Sequence, residues 1–175
     1  MRWLVLSAAI LVSACREDAV AVAPDPVTMS EDALGYYCQM NLAEHGGPKG
    51  QIHLAGNPDP IFFAQVRDTL AYLREPERSA PIAAVYVSDM SRAASWAEPG
   101  LDNWIALSEA VFVVGSDARG GMGAPELVPF GGEEDALAFI AEHGGHLMRV
   151  DDIPSEAVLG GVDRATPAHA AEGHS

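Results

Sequence analysis

Two stretches of this chain repeat each other at an offset of 67 residues, which limits the fold more than any single motif. Gly56-Asn57-Pro58 aligns with Gly123-Ala124-Pro125, Phe63 with Phe130, and Asp68-Thr69-Leu70-Ala71-Tyr72-Leu73 with Asp135-Ala136-Leu137-Ala138-Phe139-Ile140. A turn, a short strand and a helix recurring in the same order mark a duplicated supersecondary unit. In the first copy, residues 51–55 alternate as a strand, 56–60 carry dense turn chemistry and 61–63 are a short apolar run. Residues 64–75 place Val66, Leu70 and Leu73 at helical spacing before Pro76, and the continuous apolar run 82–87 suits a central strand. In the second copy, residues 104–107 and 111–115 predict a hairpin across Ser108-Glu109-Ala110, followed by a strand at 127–130. A helix at 133–142 opens on Glu133-Glu134-Asp135, which suits the positive end of its dipole, and stops at Gly144-Gly145; residues 146–150 close as a strand. The expected fold is α+β: two β-β-α-β-type repeats, near 50–90 and 103–151, forming a small compact unit with a cleft between them.

The chain length of 175 residues allows one domain or a pair of small repeats. With 10 Lys and Arg against 25 Asp and Glu, a net charge of -15 argues against nucleic acid and anionic lipid head groups as partners. The N-terminus reads as a bacterial export signal. Met1-Arg2 is a basic start, residues 3–12 are an apolar run too short to span a bilayer, and Val12-Ser13-Ala14-Cys15 resembles a lipobox whose cysteine is acylated after cleavage. The expected organisation is a signal peptide at 1–14, a lipidated N-terminus and tether at 15–27, a folded domain at 28–159 and a disordered tail at 160–175. Such a protein hangs from a membrane in the periplasm. Arg16 after Cys15 favours the outer membrane.

Acylation of Cys15 leaves Cys38 as the one thiol of the mature chain, in a compartment where thiols normally pair. Such a thiol is buried, paired between chains or bound to a soft metal. Its neighbourhood is Tyr36-Tyr37-Cys38-Gln39-Met40, and a thiolate with a thioether two residues away is a donor pair that selects Cu(I) over Zn(II), Ca(II) or Mg(II). The spacing alone leaves the buried and the ligand readings open. Where the first repeat has Leu54-Ala55-Gly56, the second has Gly121-Met122-Gly123. A methionine between glycines is not a helix-core residue; it either plugs a gap or reaches Cys38 across the cleft as a soft ligand.

Taken together, the lipobox, Tyr36-Tyr37-Cys38-Gln39-Met40 followed by Glu44-His45-Gly46-Gly47-Pro48-Lys49-Gly50-Gln51-Ile52, and Gly121-Met122-Gly123 with Glu126-Leu127-Val128-Pro129-Phe130 resemble the NosL family. These are lipoprotein copper chaperones that assist nitrous oxide reductase maturation. The resemblance runs from Met29 to about Val158. Many relatives carry C-x-x-C-G-M at the first site; here Gly35 stands at the first cysteine position and Gln39 replaces the glycine, leaving Cys38 and Met40 as the transferable pair. The resemblance implies a fold similar to the organomercurial lyase core and a Cu(I) carrier, not an enzyme, with nitrous oxide reductase as copper acceptor.

On that reading Cys38 neutralises Cu(I), while Met40 and Met122 add weak exchangeable bonds. His45 is the best nitrogen candidate, and a solvent-exposed loop histidine is its alternative. His53 reads as a strand residue, and His169 and His174 as tail residues. Met29, Met90 and Met148 read as packing residues. Lys49, the one lysine of the chain, is either a loop-closing or docking residue or a solvated turn residue. A nucleophilic enzyme built on Cys38 fails on residue count, since carbon–mercury cleavage in the organomercurial lyases relies on two cysteines and an aspartate. The remaining alternative is a scaffold lipoprotein with Cys38 structural. The domain is expected as a monomer, or as a dimer linked by metal shared between two Cys38 thiolates.

Overall fold

Gly50–Leu54 (β1) is buried at every residue, so it needs a strand on each edge and cover on each face. It finds antiparallel partners in Ile61–Phe63 (β2) and Ile82–Ser88 (β3), with Gln51 opposite both Phe62 and Tyr86. Trp104–Ala106 (β4) extends the sheet on the far side of β3, giving the order β2-β1-β3-β4. Val66–Leu73 (α1) lies across β1 so closely that a Cβ on Gly50 would fall 1.8 Å from Thr69 Oγ1. The computed structural model describes residues 22–161. Cys15, the signal segment, His169 and His174 lie outside the described residues.

The second sheet repeats the first. Val111–Val114 (β5), again buried throughout, sits between Val128–Phe130 (β6) and Val114's other neighbour strand, His146–Met148 (β7), in antiparallel order β6-β5-β7. Glu133–His143 (α2) links β6 to β7 as α1 links β2 to β3. In each unit the first strand is central and pairs with the second and the last. Gly56 and Gly123 hold equivalent turns at φ +83° and +76°, a left-handed backbone that disfavours any side chain. The acidic start of α2 occupies its first turn, and Gly144 ends it at φ +69°.

One core joins the two units. Val66 and Leu70 of α1, Val87 of β3, Phe112 and Val114 of β5, Leu127, Ile153 and Val158 form a single buried cluster. Val158 belongs to Ser155–Leu159 (α3), which packs on α1. Phe112 is fully buried; such a side chain contributes about 1.5–3 kcal/mol.

The structure corrects the expected hairpin. β4 pairs with β3 and belongs to the first sheet, whereas β5 is the middle strand of the second. The Ala106 carbonyl accepts from both Glu109 and Ala110, so the connection turns helically and sends the chain across to the other sheet. The second repeat therefore begins near Val111, not at 103. β7 ends at Met148, and Val150–Asp152 is a 3-10 turn. In β1 the polar members of the alternation are buried too: His53 Nε2 lies 2.7 Å from Gln51 Oε1. Gln51 in turn exchanges two 2.8 Å hydrogen bonds with the Val27 backbone, and Tyr86 Oη donates to the Pro24 carbonyl. The chain thus lies along the first sheet from Pro24 onward, and Met29 is buried in the core.

Candidate metal site

The first part of the site is a turn docked on the free edge of β2. Gly35 forms a parallel bridge with Phe62, Leu34 an antiparallel one with Asn41, and the Gly35 N–H donates to the Met40 carbonyl at 3.0 Å. Closing so short a turn puts Gln39, between Cys38 and Met40, at φ +55°. Its side chain offsets that strain by donating to the Gly35 and Tyr36 carbonyls. Gly35 is required by packing: a Cβ there would fall 2.4 Å from Cys38 Sγ. Tyr36 and Tyr37 pack edge-on or tilted against Phe63 and Tyr72, which anchors the turn.

The second part is the loop of His45. Lys49, 1% exposed, donates from Nζ to the carbonyls of His45 (2.7 Å), Gly46 (3.1 Å) and Gly47 (2.7 Å). It is a loop-closing residue, which settles the two readings its sequence context allowed. Burial pushes Lys49 down to about 8, against the opposing pull of Glu126 and Cys38. Gly47 lies against the Trp96 indole and its N–H donates to the Trp96 carbonyl at 2.6 Å.

The third part comes from the other unit. Gly120 N–H donates to the Ala124 carbonyl and Gly123 N–H to that of Gly120, closing a small loop with Met122 at its tip. The Met122 N–H donates to Gln65 Oε1 at 3.3 Å. A Cβ on Gly121 would lie 2.9 Å from His45 Cβ and 3.1 Å from the Ala64 carbonyl oxygen, so the loop touches both His45 and the junction of β2 with α1. Beneath it, Glu126 is 1% exposed, and its Oε1 accepts from the backbone N–H groups of Leu127 (2.9 Å) and Arg67 (3.1 Å). One carboxyl from the second unit thereby caps the start of α1 in the first. Its Oε2 has no hydrogen-bond partner. Burial pushes Glu126 up to about 8; its two backbone bonds oppose the shift, as does Lys49 more weakly, and Asp68 adds to it.

The Cys38–Met40 turn, His45 and the Met122 loop thus converge around Ala64 and Gln65. Met40 and Met122 are 37% and 43% exposed, whereas Cys38 and His45 are half-buried. His53 is apart from them on β1, Met29 is core, and Met90 and Met148 pack against hydrophobic clusters. Among the described residues no three His, Cys, Asp or Glu side chains gather as a metal-holding group. Sequence reasoning did not single out Glu126 or Gln65. The available signal for Glu126 was an acid placed directly before the wholly apolar strand that follows Pro125.

The NosL family model matches residues 26–158. The chain belongs to the NosL family. It is 50% identical over 172 residues to the copper-binding lipoprotein NosL of Achromobacter cycloclastes, covering 97% of this chain and 89% of that one. The copper-binding lipoprotein NosL of Stutzerimonas stutzeri is 32% identical over 130 residues, covering 74% and 66%. Among solved structures, the crystal structure of the copper chaperone NosL from Shewanella denitrificans superposes with a TM-score of 0.68 at 34% identity, over 74% of this chain and 95% of that one.

Proposed function

We propose that this NosL-family chain is a membrane-anchored periplasmic Cu(I) carrier that supplies copper for the assembly of nitrous oxide reductase. What supports the reading is that the Cys38 turn and the Met122 loop both approach Ala64, with the Met122 loop against His45, in a family whose relatives are named for copper. Cys38 supplies the anionic donor that neutralises Cu(I). Met40 and Met122 supply neutral thioethers, and His45 completes the shell. The exposed methionines leave the ion open to an incoming ligand, so copper passes by stepwise ligand exchange.

Residues 1–14 act as the export signal, Cys15 carries the lipid, the tether ends where Pro24 to Val27 dock on the first sheet, and the rest to 159 forms the carrier. Deleting the protein should leave the reductase polypeptide made and exported but short of copper, most severely when copper is scarce. Added copper should rescue it in part by mass action. Copper per reductase polypeptide, measured on enzyme isolated from a deletion strain grown at low copper, decides; fully metallated reductase would overturn the delivery role.

A further inference from the structure

A second cavity lies away from the sulfur site. It is an open cleft of about 580 Å³ beside α2, walled by Met90, Trp96, Phe130, Phe139 and His143, with Arg119 at its rim. That volume lies in the range of small-molecule sites, which are apolar with a few placed polar groups. Three rings form its floor as a ladder. Trp96 and Phe139 lie nearly parallel, with centroids 6.3 Å apart and planes at 19°, and Phe139 stacks on His143 at 4.3 Å and 27°. Phe130 meets Phe139 from the side at 5.4 Å.

The walls are fixed in advance. Asp89 Oδ1 accepts from the N–H groups of Ser91 (3.0 Å) and Gly131 (2.7 Å), and the Met90 N–H donates to the Pro129 carbonyl at 3.0 Å, tying the Met90 segment to β6. On the other side the Asp117 N–H donates to the His143 carbonyl. The charges are arranged to one end. Asp117, the one acid lining the cleft, is engaged by His143, with Nδ1 2.9 Å from Oδ1. The Arg119 guanidinium has no hydrogen bond or ion pair among the described residues. In a chain with 25 acids and 10 lysines and arginines, a free guanidinium beside an aromatic floor is a complement to negative charge and to ring faces at once.

We propose that this cleft is a second binding site, taking a small planar aromatic anion that packs against the cleft-facing edges of Phe139 and Trp96 and whose acid group meets Arg119. Its occupant touches the roots of both loops of the sulfur site, since Trp96 backs Gly46 and Gly47 while Asp117 and Arg119 lead into Gly120. The site is nonetheless defined without metal. The test uses the full chain, metal-free, with 1-anilinonaphthalene-8-sulfonate and its uncharged counterpart N-phenyl-1-naphthylamine followed by fluorescence. The sulfonate should bind saturably at one site. Phe139→Ala should weaken both probes by about tenfold through the lost ring contact. Arg119→Gln, on an exposed side chain, should weaken the sulfonate about threefold and the neutral probe less. A thermal transition by circular dichroism checks each fold, and shifts of the Trp96 indole resonance locate the probe in unaltered protein if Phe139→Ala does not fold. Absence of saturable binding, an unmoved Trp96 resonance, or equal loss of both probes in Arg119→Gln would overturn the assignment.

Discussion

Gly35 shows how one missing side chain shapes the donor turn. Cys38 Sγ occupies the space where a Cβ at residue 35 would sit, with Leu42 Cδ2 close behind at 3.1 Å from that point. Gly35→Ala should therefore push Cys38 out of place, lowering stability by about 1–3 kcal/mol and weakening Cu(I) binding; an unfolding curve and a copper competition on the same protein check both. Glu126 makes a prediction of opposite kind. Burial raises it from 4.5 to about 8, so between those pH values the folded chain holds a proton that the unfolded chain has released. Its contribution to stability is present in full below pH 4.5 and lost as pH rises toward 8. Glu126→Gln keeps an acceptor for the Arg67 and Leu127 amides and removes the charge. Its urea midpoint should gain on the wild type steadily from pH 4.5 to 8, and a difference independent of pH would contradict this. Cys38, Met40, His45 and Met122 could be nominated from sequence because their chemistry is in the side chain itself. The positions of Glu126 and Gln65 in the network depend on partners 59 and 57 residues away, which no local pattern records.

At the level of elements, periodicity and punctuation were informative where a segment's own residues decide its state. α1 falls inside 64–75, α2 overlays 133–142 with one residue more, and β2 occupies the apolar run 61–63. The connection at 107–110 was misread because loop length says that a chain turns, not which sheet receives it. β5, apolar and buried on both faces, is satisfied only between two strands of its own sheet, and that demand outweighs pairing with β4. Close approach of α1 to β1 yields a test of element packing. Gly50→Ala should cost about 3 kcal/mol, because its Cβ would meet Thr69 Oγ1 at 1.8 Å and Cγ2 at 2.8 Å. Thr69→Ala in the same chain removes both of those atoms but keeps a Cβ at 2.8 Å, so it should restore part of the loss. Additive losses in urea unfolding of the double variant would rule out that contact as the cause.

Across the whole molecule, duplication gives two units that share one core while their unlike loops face each other. The offset of 67 residues made the repeat legible, and the same alignment exposed Met122 as the place where the copies differ. What remained hidden was the side on which the loops meet, because that is fixed by the common cluster of α1, β3, β5 and α3. On the proposed reading, the copper donors are divided between the units: Cys38, Met40 and His45 from the first, Met122 from the second. An anaerobic Cu(I) titration of metal-free protein against a competing chelator, run on wild type, Cys38→Ala, Met40→Ala and Met122→Ala, tests this most directly. One tightly held Cu(I) should be lost in Cys38→Ala, and each methionine variant should weaken binding by a smaller step. Wild-type affinity in Cys38→Ala would contradict the site.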